Sequence, residues 1–87
     1  MINHRIKCVQ PYFLEVWNGQ KKFEVRINDR NYNVGDIVMM DCFDKESDQI
    51  TGATMNIRIT YLIENFEGLK EGWCVFGFDI IHKGNNF

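Results

Sequence analysis

Three charged residues at close spacing hold most of the chemistry available to this chain: Lys21, Glu24 and Arg26. They lie in the run Gly19-Gln20-Lys21-Lys22-Phe23-Glu24-Val25-Arg26, which joins a turn glycine to a short extended segment. Glu24 and Arg26 are two residues apart, about 6.6 Å along a strand, a gap that long side chains close. Such a grouping is either a solvated ion pair, contributing at most ~1 kcal/mol, or a binding site. As a site, Arg26 offers a planar, permanently charged fork for a phosphate or a base edge, and Lys21 a mobile point charge for the same anion. Glu24 is an acceptor, for the exocyclic amine of a base or for the two cations that it would hold in place. Lys21 and Glu24 together also have the makings of an acid–base pair. Arg30, beside Asp29 in a turn-forming stretch, is a further phosphate candidate, with a local pair to Asp29 as the plain alternative.

The elements that must position these residues follow from hydrophobic periodicity. Residues 4–9 alternate, with Ile6 and Cys8 on one face and Arg5 and Lys7 on the other, and read as a first strand. Pro11 suits the first turn of a helix. Phe13, Val16 and Trp17 follow at helical spacing, and Gly19 is placed to end the helix in a left-handed conformation. Residues 11–18 are therefore expected to form one short helix. Residues 22–27 form a second strand, in which Phe23, Val25 and Ile27 are expected to enter the core while Glu24 and Arg26 stay on an open face. Asn28 to Asn31 is rich in turn formers, Tyr32 to Val34 reads as a short extended piece, and Gly35-Asp36 as a turn. Strands are expected at 37–43, 54–63 and 73–81, with a polar loop from Asp44 to Thr51 and another from Glu64 to Gly72. The tail 83–87 is expected to fray. The fold class predicted is α+β, mainly β: a barrel-like sheet of five or six strands with one helix between the first two, in a single domain over 1–87.

Composition narrows the function classes. The chain of 87 residues has a net charge of −2, which argues against a broad basic surface that tracks many phosphates. A pocket for one nucleotide or a short single strand needs only a few cations and stacking partners. Tyr12, Trp17, Tyr32, Tyr61 and Trp73 are the stacking candidates. Phe13 and Trp17 fit the apolar helix face, Tyr12 lies off it and toward the charged run, and Trp73 fits a rim position. The three cysteines, Cys8, Cys42 and Cys74, are widely spaced, without a Cys-x-x-Cys pair, and are expected as buried reduced thiols. No metal and no cofactor are expected. The apolar runs are too short for a membrane span, and the N-terminus lacks the apolar stretch of a signal peptide, so a cytoplasmic protein, monomeric or weakly dimeric, is expected.

The charged run has a further significance. Gly19-x-Lys21-x-x-Glu24-x-Arg26 resembles the signature of the ASCH domain, a branch of the PUA-like superfamily. With Asn28-Asp29-Arg30, Val34-Gly35-Asp36, Thr51-Gly52, Thr60-Tyr61 and Gly68-Leu69-x-x-Gly72, the chain is most similar to a short phage and bacterial ASCH-like family of unknown function. The resemblance covers nearly the whole chain, from His4 to about Ile81. It implies a PUA-like pseudo-barrel with a cleft for RNA or a nucleotide beside the signature strand, with Lys21, Glu24, Arg26, Arg30 and Tyr12 as ligand-binding residues. One branch of the family hydrolyses an acylated cytidine with a lysine, a threonine and a glutamate. Lys21 matches that lysine, but Glu24 stands where the threonine belongs. Ala53 stands where the family pattern usually has arginine. The readings that follow are an RNA- or nucleotide-binding module; alternatively a nucleoside amidohydrolase or ribonuclease using Lys21 and Glu24; or a phage-type protein that binds a host protein.

Overall fold

The computed structural model describes residues 1–85. In chain order these form β1 (His4–Val9), α1 (Tyr12–Trp17), β2 (Phe23–Ile27), β3 (Ile37–Asp44), β4 (Gln49–Glu64) and β5 (Trp73–Asn85). The five strands make one sheet in the order β1-β3-β4-β5-β2. β1 runs parallel to β3, and the other neighbours are antiparallel. Register shifts interrupt the ladders at Asp41/Phe43, Asn56/Ile57 and Ile59/Tyr61. Such bulges bend a strand and raise its local twist. The sheet curls until its two edge strands, β1 and β2, face each other across a seam. The result is the expected mainly-β fold, a curled half-barrel.

The interior follows the period-2 pattern of the long strands. The register sets Val38 against Ile57 and Met40 against Met55, and residues directly opposite on neighbouring strands share a face. These four are fully buried, with Ile59 and Cys74 beside them. Phe76 is the largest of the fully buried side chains. Its ring lies 5.0 Å from that of Tyr32 and 6.3 Å from that of Phe78. Helix α1 has only six residues, too few to hold its shape without packing. It gains that packing by burying Phe13 and Val16 in the same core. Gly19 ends it with φ +78°, a conformation that glycine adopts without steric cost, and donates its N–H to the Val16 carbonyl at 3.0 Å.

Three boundaries differ from the pattern-based expectation. The polar loop expected from Asp44 to Thr51 shrinks to residues 45–48, because Gln49 pairs with Asp44 and Ile50 with Phe43. The frayed tail is corrected as well. Lys83 pairs with Met55 and Asn85 with Ala53, so β5 runs on where the long β4 provides backbone partners. Residues 86 and 87 lie outside the described residues. Tyr32 to Val34 is loop rather than strand, with Tyr32 buried in the core.

The orientation of β2 is the main correction. Glu24 pairs with Phe76 and Arg26 with Cys74, so the two charged side chains point inward with those core residues. Glu24 is 4% exposed, whereas Phe23, Val25 and Ile27 are 48%, 46% and 52% exposed. Alternation shows that the two faces differ, and a one-residue change of facing inverts which one is inside. Core truncation is therefore expected to cost most away from β2. Phe76→Ala is expected to lose ~3–5 kcal/mol of stability and Phe23→Ala less than ~1 kcal/mol, as read from urea unfolding midpoints. A larger loss for Phe23→Ala than for Phe76→Ala would mean that β2 faces the other way.

Candidate functional site

The seam between β1 and β2 brings the charged run to a cleft. In a parallel pair, alternate residues of an edge strand turn their backbone groups to the neighbour, and the others turn them to the open side. The carbonyls of Arg5 and Lys7 lie on that open side of β1. The Lys7 carbonyl accepts a hydrogen bond from Arg26 Nη2 at 2.6 Å, and the Arg5 carbonyl one from Arg30 Nη1 at 3.0 Å. Two guanidinium groups thus bridge the seam and occupy acceptors that a strand edge would otherwise expose.

Glu24 sits at the centre. Its Oε1 accepts from Lys21 Nζ at 2.6 Å and its Oε2 from Arg26 Nε at 2.9 Å. Lys21 Nζ also donates to the Phe23 carbonyl at 2.8 Å and lies 5.1 Å from the Phe23 ring and 5.6 Å from the Tyr12 ring. Both oxygens of Glu24 are committed to cations, and the trio carries net charge +1. A buried carboxylate in this position is tolerable only because both partners are charged and hydrogen-bonded. The open ion pair and the base-reading acceptor considered for Glu24 are replaced by a buried clamp that holds Lys21 and Arg26.

The cleft measures about 1020 Å³. Arg5, Lys7, Lys21, Arg26, Arg30 and Lys45 line it, against the three carboxylates Glu24, Asp29 and Asp41. The lining therefore carries net +3 on a chain whose total is −2, which leaves −5 for the remainder. Arg5 is fixed by Asp41, which accepts from its Nε at 2.7 Å and its Nη2 at 3.0 Å. The Arg30 side chain is about half exposed, and its Nε lies 4.0 Å from Asp29. Tyr12, exposed at the start of α1, and half-buried Trp73 contribute aromatic surface to the cleft.

All five sequence-predicted site residues, Lys21, Glu24, Arg26, Arg30 and Tyr12, line this one cleft. Of the other stacking candidates, Trp73 and the buried Tyr32 also line the cleft, Tyr32 from its core side, whereas Trp17 packs against the core under Lys83 and Tyr61 stands on the outer face of β4. Ala53 packs against the core and is not among the residues lining the cleft. Arg5, Lys7, Asp41 and Lys45 were not singled out from sequence. The one available signal was the placement of Arg5 and Lys7 on the polar face of β1.

The remaining polar candidates have structural roles. His4 Nε2 lies 2.7 Å from Asp36 Oδ2, and its ring meets the Tyr32 ring edge-on, tying the start of β1 to the Val34-Gly35-Asp36 turn. Cys8, Cys42 and Cys74 are free and buried. Burial, and then the charge of Glu24, push the Cys8 thiol up to about 12 against the opposing pull of Arg26 and Lys21. Its thiol is thus protonated and inert near neutrality. Among the described residues no group of three or more His, Cys, Asp or Glu is arranged to hold a metal ion, and no helix is long and apolar enough to cross a membrane.

Residues 3–78 match the model of the family described as a domain of unknown function, DUF3850, and the chain belongs to that family. The matched span takes in every cleft residue named above. No curated protein matches the chain.

Glu24→Ala is expected to destabilise by roughly 3–5 kcal/mol, because it leaves two partly buried cations facing one another. Replacing all three residues by apolar ones, as Lys21→Met, Glu24→Leu and Arg26→Met, is expected to recover much of that loss in the same denaturant titration. The thiols set an alkaline limit. The unfolded Cys8 ionises near 9 and the folded one near 12, so above pH 9 the unfolded state sheds a proton that the folded state keeps. Stability is then fully present below pH 9 and falls as pH rises toward 12, with Tyr32 and Cys74, both raised mainly by burial, acting in the same direction. A melting temperature that stays level across this range, or a slope unchanged in Cys8→Ala, would contradict it.

Proposed function

We propose that this chain is a PUA-like module of the ASCH type that binds single-stranded RNA or a nucleotide in the β1–β2 cleft. The observation that carries the reading is the segregation of charge: a cleft of net +3 on a chain of net −2. A local cation cluster beside exposed aromatic surface suits a ligand with few phosphates and an unstacked base. The half-exposed Arg30 guanidinium and Lys7 are the phosphate partners, together with the N–H groups that Arg26 does not spend on Glu24 and Lys7. Tyr12 and Trp73 supply faces for a base. Glu24 acts as a positioning residue that fixes Lys21 and Arg26. With both of its oxygens already held, the geometry favours this over acid–base work by the Lys21–Glu24 pair.

The test is a titration of mononucleotides and short single-stranded RNAs, read by tryptophan fluorescence and NMR shifts. Binding is expected with a shallow salt dependence, since only a few phosphates are neutralised. Arg30→Ala and Lys7→Ala are each expected to weaken it by roughly tenfold, the scale of one charge-assisted hydrogen bond, while the fold is retained. Absence of binding across the panel, or binding indifferent to both substitutions, would overturn the reading.

A further inference from the structure

The face of β2 that the interior does not use continues across two more strands without a charge. Directly opposed residues lie side by side on one face of a sheet. One rung of the outer face is Phe23, Gly77 and Tyr61. The next is Val25, Val75 and Ile63. Beyond it, Ile27 stands beside Trp73. Every position in these rungs is apolar, aromatic or glycine. Tyr61 is 66% exposed, and Phe23, Val25 and Ile27 are about half exposed, while Ile63, Trp73 and Val75 are half-buried. Among the described residues no element of the fold covers this face.

The size of the patch indicates what fits it. An aromatic side chain offers roughly 150–250 Å², so the open parts of these residues sum to about 500–600 Å². That is at the upper end of what a monomer leaves uncovered. It is also about two-thirds of the ~800 Å² that each partner gives to a standard interface, and a polar rim supplies the rest. The chemistry indicates which partner. Homodimer interfaces are the more apolar class, and charge is depleted at their centres. A chargeless face has no electrostatic pattern with which to select a different partner. A three-strand apolar face is complementary to its own copy about a two-fold axis, as one sheet laid on another. The small net charge of −2 gives little self-repulsion.

We infer that this face is a homodimer interface, two copies packing β2-β5-β4 against β2-β5-β4 in a weak, concentration-dependent association. Because Phe23, Val25 and Ile27 also form one wall of the cleft, the second copy lies beside the cleft mouth. The inference does not depend on what the cleft binds.

Sedimentation velocity from low micromolar to near-millimolar protein decides it. The mass is expected to rise from the 10.3 kDa of one chain toward twice that value, and added salt is not expected to reverse the rise. Tyr61→Lys and Ile63→Lys are expected to hold the protein at the mass of one chain, with an unchanged circular dichroism spectrum. Neither lines the cleft, so nucleotide titration of the same variants reads the cleft separately. Should Ile63→Lys fail to fold, the more exposed Tyr61→Lys decides. Leu14→Lys, on the exposed side of α1, is the control and is expected to dimerise like the parent. A single-chain mass at every concentration would overturn the inference. So would a dimer that survives in folded Tyr61→Lys, or one dissolved equally by Leu14→Lys.

Discussion

The Glu24 carboxylate, held between Lys21 Nζ and Arg26 Nε, is the interaction on which the site end of this fold depends. The curled sheet brings its two edges together, and strand edges carry unpaired backbone groups that burial would leave unsatisfied. Arg26 resolves part of that problem by donating to the Lys7 carbonyl of β1. It can do so only if its charge is balanced where it enters the interior, and Glu24 supplies the balance. Removing the carboxylate would place two cations together in a partly buried space and loosen the bridge across the seam. One charged trio thus helps to tie β2 to β1 and fixes two of the six cations of the cleft.

The same trio accounts for the facing of β2. A strand whose inner face must reach across a seam needs long polar side chains on that face, and Glu24 and Arg26 are such residues. The apolar side chains of Phe23, Val25 and Ile27 are then turned outward. There they form both the wall of the cleft and part of a chargeless sheet face. An outward apolar row on an edge strand is a hydrophobic liability unless something covers it. The interior need for an ion cluster and the exterior need for a partner have one cause, the position of β2 at the edge of the curl.

Charge is distributed on the same principle. Six of the ten Lys and Arg residues line the cleft, whereas only three of the twelve Asp and Glu residues do. Two of those three carboxylates, Glu24 and Asp41, are buried and serve to orient arginine or lysine side chains. The cleft keeps a positive field while three of its six cations, Arg5, Lys21 and Arg26, are held in place. Preorganised cations of this kind lose less conformational freedom on meeting an anion than free surface side chains do.

The sequence by itself determined the sheet-and-helix inventory, the turn glycine after α1, the burial of the three cysteines and the grouping of Lys21, Glu24, Arg26, Arg30 and Tyr12. The first three are local properties, set by period-2 and helical spacing and the left-handed freedom of Gly19. In the grouping, Lys21, Glu24 and Arg26 are too close in sequence to be far apart in space, while Tyr12 and Arg30 were joined to them by the resemblance of the motif. Tertiary structure alone decided which face of β2 is inside, since Phe23-Glu24-Val25-Arg26-Ile27 alternates equally well either way round until Glu24 is set against Phe76. It also decided the extension of β4 back to Gln49 and of β5 to Asn85, where pairing partners distant in sequence outweigh a polar composition. Arg5, Lys7, Asp41 and Lys45 entered the cleft for the same reason. The curl of the sheet brings β1 and the end of β3 beside β2, and proximity made by curvature between distant segments leaves no trace in local spacing.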